Sequence, residues 1–453
     1  MKILIITTYY PPDTAIAAVR PYMFAKYLMQ YGHDVTVLRS GLLQQSADRS
    51  FSGHKGIRVV TYLGENSPSM QFENGQSDFM QYTPPSGESR IAFLPESLRK
   101  WLARAYHALI SPYDFYRWYQ KTYRQGRFAP MKAVIDGMSQ EKFDVVFSTY
   151  GAVENIWGGE YASRLFDARW IQDFRDPIEP HSPNKFGLPF LKRIQKNAVR
   201  NSDLCTAVSE DLAKHLSRQA GGTPVHTLYN GYEPNDTDAV SAVPEKESLS
   251  FCYTGQLYAG LRDFSPLLKA ICHLKTSGKV SLDKIRIHYA GRDYACLLQQ
   301  AEKYGISEIL TDHGYVSRKE AAQMQAKSDV YVVLSWNTKA EKGVLTGKLY
   351  EGIRAGKPIL SMVAGDVPYS ELNLINNKYN SGFCYENCRE EEQFQALCDY
   401  LESLYNEKIA TGTIAYTPDP ALETDFRYDT LSKKLEKLCF DVMAQRNSHR
   451  KNP

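Results

Sequence analysis

"MKILIITTYYPPDTAIAAVRPYMFAKYLMQYGHDVTVL", residues 1–38, decides the fold class. Lys2 to Thr8 is a short, β-branched apolar run, which reads as a buried strand. A Pro-rich turn follows. Val19, Phe24, Tyr27, Leu28 and Tyr31 then keep a helical period, and Gly32 ends the helix. Val35 to Leu38 is the next strand. Strand, helix and strand in so short a span make a βαβ unit, whose crossover requires a parallel sheet.

Outward from this unit the pattern repeats. "DVVFSTY" (144–150), "RWIQDF" (169–174), "SDLCTAVS" (202–209) and "VHTLYNG" (225–231) read as strands ending in polar turns, with helical patterns between them. Residues 64–90 are polar and rich in Ser, Gly and Pro, the composition of a mobile loop. "EPNDTDAVSAVPEKES" (233–248) has no periodicity and reads as a linker. The alternation restarts with "LSFCYTG", "KIRIHYAG", "EILTDHG" and "SDVYVVLS".

A chain of 453 residues is too long for one ordinary core. The expected architecture is α/β, with two doubly wound Rossmann-like domains facing across a cleft. The first spans 1–235, a linker spans 236–248, and the second spans 249–425. Within 426–453, "YDTLSKKLEKLCFDVM" (428–443) is an amphipathic helix that can cross back to the first domain. Ligands of such sheets bind outside the carboxyl ends of the strands, which directs the search for chemistry to that cleft.

Hydrophobic residues at 43% and charged residues at 23% describe a globular chain. Lys plus Arg (54) against Asp plus Glu (51) leaves a net charge of +3, which gives no ground for a nucleic-acid partner. The 8 cysteines include no CxxC pair, and Cys384 with Cys388 lacks further ligands at zinc spacing, so reduced, buried thiols are expected. The N-terminal apolar run is too short for a signal peptide, and Pro11 and Pro12 follow it. No stretch approaches the roughly 20 apolar residues of a membrane span. The expected location is the cytoplasm.

"GVLTGKLYEGIRAGKPIL" (343–360) carries the most chemistry. Thr346 can cap a helix, Gly343 and Gly347 let the backbone approach a ligand, and the first-turn amides form an anion site. Lys348 adds a full charge beside them, a combination suited to the pyrophosphate of a nucleoside diphosphate. Glu351, one turn on, can accept hydrogen bonds from a ribose diol. Gly356 and Pro358 close the helix. The alternative is an ordinary helix bearing a solvated Lys–Glu pair. "YTGQLYAGLRDF" (253–264) puts Gly255 at a strand end and Arg262 near the next helix, a second phosphate-type site. "IHYAGRDY" (287–294) ends another strand in Gly291, and "LYNGY" (228–232) sets Asn230-Gly231 where the chain leaves the first domain. "DFRDP" (173–177) offers Asp173 or Asp176 for acceptor binding or base assistance, against a structural Asp–Arg turn.

These segments together resemble a known family. "TTYYPPDTAIAAVRPYMFAKYLMQYGHDVTVL", "AVSEDL", "YNGY", "YTGQLY", "DVYVVLS" and "GKLYEGIRAGKPIL" occur in the order found in GT-B glycosyltransferases of family 4, most nearly the bacterial polysaccharide-assembly group. The resemblance implies a metal-independent, retaining transfer from a nucleotide sugar to a hydroxyl, with no cofactor beyond that donor. It implies that Arg262 and Lys348 bind the donor diphosphate, with Gly255 beside it and Glu351 on the ribose. The acceptor it implies is lipid-linked or a growing surface polysaccharide.

The sequence also departs from the family. Of its usual two glutamates, the second falls on Glu351 and the first on Gly343, with Glu341 two residues early. The first βα turn lacks paired glycines and offers Asp13 and Arg20 instead. No histidine follows "DVVFSTYGAVEN", where Asn155 or Glu154 can stand in. "DTD" (236–238) lies in the linker and reads as a solvated turn, not a metal site. Residues 99–127 interleave Arg and Lys with Trp101, Tyr106, Phe115, Tyr116, Trp118, Tyr119 and Tyr123. That pattern suits peripheral contact with the inner face of the cell membrane, or a helix with its apolar face in the core. Two rival functions share the nucleotide site: a sugar-nucleotide epimerase and a non-catalytic nucleotide-sugar-binding subunit. No G-x-G-x-x-G follows the first strand, which argues against an oxidoreductase.

Overall fold

The computed structural model describes residues 1–13, 15–41, 56–63, 111–178, 188–234, 244–258 and 262–450. The chain divides into two compact units: Met1–Val208, Leu212–Leu228 and Ser432–Pro453 in the first, Ser209–Asp211 and Tyr229–Leu431 in the second.

The first unit is built on a seven-stranded sheet with the order β3-β2-β1-β4-β5-β6-β7. Its strands are β1 (Lys2–Thr7), β2 (Asp34–Arg39), β3 (Arg58–Thr61), β4 (Val145–Thr149), β5 (Arg169–Phe174), β6 (Leu204–Ala207) and β7 (Val225–Thr227). Every pairing is parallel. Ile3 to Ile6 of β1 are fully buried, because helices cover both faces of a parallel sheet and the strand needs no polar side. The helix Val19–Gln30 follows β1 and buries Met23, Phe24, Tyr27 and Leu28. β3 was not signalled by an apolar run, since it is a mostly exposed edge strand.

The second unit repeats the plan with six parallel strands in the order β10-β9-β8-β11-β12-β13. These are β8 (Leu249–Thr254), β9 (Ile285–Ala290), β10 (Leu310–Asp312), β11 (Val330–Trp336), β12 (Ile359–Ala364) and β13 (Gly382–Glu386). β8 is buried throughout, and its Phe251 packs in one core with Leu267, Ile287, Val332 and Leu360. The reversal of strand order beside β8 places the carboxyl ends of β8 and β11 at the crevice of this sheet.

The last helix, Tyr428–Arg450, buries Leu431, Leu435, Cys439 and Val442, one face at helical spacing. From Ser432 it belongs to the first unit, where Glu436 Oε1 meets His33 Nε2 at 2.6 Å.

Of the aromatic-basic stretch, 99–110 lies outside the described residues, as do 64–90, His181 and "DTD". The remainder forms the helix Ser111–Tyr119 and a continuing π-helical segment, Gln120–Phe128. Phe115, Tyr119 and Tyr123 fill the first unit's core, and Arg127 is buried against Glu154. Only Tyr113 and Tyr116 among the large apolar side chains described there are exposed. The burial of Phe115, Tyr119 and Tyr123 is core packing of this described part alone. Among the described residues no helix is long and apolar enough to cross a membrane. The eight cysteines are free thiols, although Cys388 is exposed where burial was expected.

Candidate active site

The site builds up from the end of β8. Gly255 has φ +151°, a region that favours glycine, and its amide donates to Ala290 O at 2.8 Å. A Cβ at Gly255 would stand 3.2 Å from Lys348 Cε and 3.4 Å from the Tyr253 hydroxyl oxygen. Arg262 Nη1 donates to that same Tyr253 hydroxyl (3.3 Å) and to Gln256 O (3.1 Å). Lys348 and Arg262 are therefore gathered around one glycine.

Arg262 is 9% exposed and lies over the Tyr258 ring at 4.5 Å, with Trp336 at 5.8 Å. The two rings hold the guanidinium plane by cation–π attraction. Tyr258 has φ +49°, a conformation that L side chains adopt at a cost of about 1–3 kcal/mol and that collects at functional sites. The Arg262 Nε and the Thr346 hydroxyl are both buried without a hydrogen-bond partner. Native interiors rarely leave such groups unsatisfied, so two of them at the expected donor site point to a polar occupant.

The helix Gly347–Ala355 starts with φ −74° and ψ 154° at Thr346, the N-cap position. Its hydroxyl makes no capping bond, contrary to the sequence expectation. The first-turn amides therefore have no side-chain acceptor from Thr346, while the Leu349 amide donates to Thr346 O at 3.1 Å. Gly347 is exposed at this end. At the other end Gly356 adopts φ +62° and Pro358 follows, as expected.

Lys348 Nζ donates to Glu351 Oε1 at 2.8 Å and Oε2 at 3.0 Å, and both side chains are three-quarters or more buried. This is not the solvated pair of the alternative reading. Glu351 Oε2 also accepts from Gln325 Nε2 (2.8 Å), the Tyr331 hydroxyl (3.0 Å) and the Thr254 hydroxyl (3.2 Å). Burial alone would raise the Glu351 pKa, but the Lys348 charge and these donors hold it below the ordinary value. Oε2 is saturated, whereas Oε1 has only Lys348 and keeps room for one hydroxyl.

Gly291 has a different reason for being glycine than approach to phosphate. A Cβ there would collide with the Gly255 carbonyl oxygen and the Tyr289 hydroxyl. It supports the loop that carries Gly255. Gly343 has φ +69°, and a Cβ there would stand 2.7 Å from Ser209 Oγ and Asp211 Cβ. Glu341 accepts from Trp336 Nε1 at 2.7 Å, which directs it to the ring that steadies Arg262.

The first unit corrects other expectations. Asp173 is fully buried, accepting from Arg20 Nε (3.0 Å) and Nη2 (2.7 Å), from the Thr149 hydroxyl (2.8 Å) and from the Thr206 hydroxyl (2.7 Å). Burial opposes its charge, yet the Arg20 charge and these bonds hold its pKa below the ordinary value. A sequestered, saturated carboxylate cannot take a proton from a substrate, so Asp173 is structural. Arg20 is spent on the same pair and on Leu228 O at 2.9 Å. Asn155 donates to Thr8 Oγ1 (3.0 Å) and Thr149 O (2.9 Å) from a fully buried position, and Glu154 is buried against Arg127. Asp176 is exposed.

Sequence reasoning missed Tyr253, Tyr258, Trp336, Gln325 and Tyr331. Tyr253 and Trp336 stand at or near the carboxyl ends of β8 and β11, a position that could have flagged them. Among the described residues no group of three or more His, Cys, Asp or Glu could hold a metal ion.

Neither the protein-family models nor the curated proteins give a match. Solved structures do. A sucrose-phosphate synthase from Thermosynechococcus elongatus aligns with a TM-score of 0.62 and 10% identity, over 98% of this chain and 100% of that one. The chain has the GT-B fold. Anabaena HepE in complex with UDP and glucose aligns at 0.57 and 14% identity, over 97% and 100%. The lipopolysaccharide outer core galactosyltransferase WaaB aligns at 0.54 and 13%, over 97% and 99%. At such identities the likeness is one of GT-B architecture: two parallel sheets, each Rossmann-like, in one chain.

Proposed function

We propose that this GT-B protein transfers a sugar from a nucleotide-sugar donor to a hydroxyl acceptor, with retention and without a metal. The observation that carries the reading is the grouping of Lys348 and Arg262 about Gly255, beside the buried, unpartnered Arg262 Nε and Thr346 hydroxyl. A nucleoside diphosphate supplies the acceptor oxygens that these donors lack. The solved structures of HepE with UDP and glucose, and of a galactosyltransferase, support a donor of this kind.

In this mechanism the bond between the anomeric carbon and the diphosphate oxygen breaks, and the oxygen leaves with the electron pair. The acceptor oxygen bonds to that carbon and its proton passes to the departing phosphate. Lys348 and Arg262 stabilise the charge that develops there, the term that dominates such transfers. No side-chain base is required, which accords with Asp173 being occupied. Glu351 Oε1 holds the ribose. The acceptor is lipid-linked or a growing surface polysaccharide, met on the cytoplasmic side of the membrane.

The test is thermal unfolding with uridine, guanosine and adenosine diphosphates. One base at about 100 times its dissociation constant should stabilise the fold by about 2.7 kcal/mol. If none shifts the transition, or the shift survives in a Lys348→Ala/Arg262→Ala protein, the reading is wrong.

A further inference from the structure

A second set of unpartnered polar groups lies in the first unit. Arg39 is the last residue of β2 and pairs in register with Thr7 at the end of β1, so its side chain leaves from the carboxyl edge of the sheet. Its Nε and Nη1 are buried without a hydrogen-bond partner, and so is the hydroxyl of Tyr10, which is 1% exposed. Tyr10 lies three residues past β1; burial raises its phenol pKa and the Arg39 charge opposes that rise.

The charged neighbour is Asp13, buried in the same turn, with its Oδ1 accepting the Ala15 amide at 2.9 Å. Asp13 favours the Arg39 charge, but burial outweighs it and pulls the Arg39 pKa down. A guanidinium stays protonated whatever its surroundings, so the net effect is a half-buried cation whose Nε and Nη1 lack acceptors. Four donor hydrogens are left over: three N–H on the guanidinium Nε and Nη1, and one phenol O–H. A single water has two lone pairs and cannot satisfy them, whereas the oxygens of a phosphate can, and the planar fork of Arg suits phosphate geometry.

We propose that Arg39 and Tyr10 form a phosphate subsite on the first unit, and that the acceptor of the transfer carries the phosphate it binds. The word acceptor rests on the glycosyl-transfer reading above. The phosphate rests on Arg39 and Tyr10 alone. The subsite recognises the phosphate group, whether that group belongs to a soluble sugar phosphate or to a polyprenyl phosphate in a membrane.

The experiment measures binding of glucose 6-phosphate by calorimetry, and of phosphatidylcholine vesicles with and without polyprenyl phosphate by flotation. The full chain is used, carrying Lys348→Ala and Arg262→Ala so that the donor site does not contribute. Arg39→Gln should weaken binding of the phosphate ligand at least tenfold, Arg39→Lys should restore part of it, and Tyr10→Phe should weaken it several-fold. Binding of the sugar phosphate alone assigns a soluble acceptor in place of the lipid-linked or polysaccharide one above, and binding of polyprenyl phosphate vesicles alone assigns a lipid-linked one; either supports the subsite. Binding of neither ligand, or binding indifferent to Arg39→Gln and Tyr10→Phe, overturns it. Where Arg39→Gln does not fold by circular dichroism, Tyr10→Phe, which keeps the ring packing on Tyr22, decides. Nucleoside diphosphate binding to the chain with Lys348 and Arg262 intact, with or without Arg39→Gln, reports on the donor site separately.

Discussion

Glu371 Oε2 lies 3.0 Å from the point where a Cβ at Gly343 would stand, so a carboxylate already occupies the space that a side chain at 343 would need. That carboxylate is held by the amides of Glu210 (2.7 Å) and Asp211 (3.1 Å) and is 4% exposed. Burial raises its pKa even so. A glutamate placed at 343 would put two carboxylates into one buried space.

Gly343→Glu should therefore fail to raise turnover. It combines a left-handed backbone at φ +69° with contacts to Ser209, Asp211 and Glu371. The expected loss is about 1–3 kcal/mol from the backbone alone, read as a lowered melting temperature. A variant that melts no lower than the parent would show that this loop yields, and that the glycine is not required.

Lys348→Ala and Arg262→Ala should each lower kcat by roughly 10²–10³, the usual cost of deleting one donor to a developing oxyanion. Arg262→Ala also removes the cation between Tyr258 and Trp336. Folding of both variants is checked by circular dichroism, and turnover by release of nucleoside diphosphate. Undiminished release by either folded variant would remove that side chain from the mechanism.

Glu351 gives a pH dependence with a definite sign. Its pKa is below the ordinary 4.5 in the folded chain, so its ion pair contributes above that value and is lost as pH falls through the folded pKa. In Lys348→Ala the opposing charge is gone and burial prevails. The folded pKa then rises, Glu351 loses less stability on acidification, and the acid limb of stability should flatten. Melting temperatures of the two proteins between pH 3 and pH 7 check this, and superimposable acid limbs would show that Lys348 does not control Glu351.

The repeat of apolar runs and polar turns made both sheets legible, because parallel strands covered on both faces must be apolar on both. β1, β5 and β8 follow those runs closely, while β3, an exposed edge, left no such trace. Gly255 at a strand end, Arg262 beyond it and Lys348 in a helix's first turn were legible as candidates, and the family resemblance joined them. What supports them was not. Tyr331 and Gln325 meet Glu351 only because β11 and the helix Arg318–Lys327 bring distant positions together. Asp173 misled for the same reason: a polar turn after a strand looks alike in sequence whether its carboxylate faces a ligand or a buried arginine.

The Arg20–Asp173 pair supplies the last test. With both side chains almost wholly enclosed, removing one partner leaves the other charged and unpaired, at a cost of about 3–5 kcal/mol. Asp173→Ala should thus lower the melting temperature sharply, and replacing both partners with apolar residues should not recover it fully. The hydroxyls of Thr149 and Thr206 and the carbonyl of Leu228 would still lose their partners. Asp173→Asn keeps the shape and removes the charge. Since the Asp173 pKa is depressed below 3.8, its contribution is present above that value and lost as pH falls through the folded pKa, so Asp173→Asn should flatten the acid limb of stability. Nucleoside diphosphate binding by Asp173→Asn should be retained, because Arg262, Lys348 and Glu351, the residues proposed to hold the donor, belong to the second unit. If instead the folded variant kept its stability profile and lost only transfer, Asp173 would be a base after all.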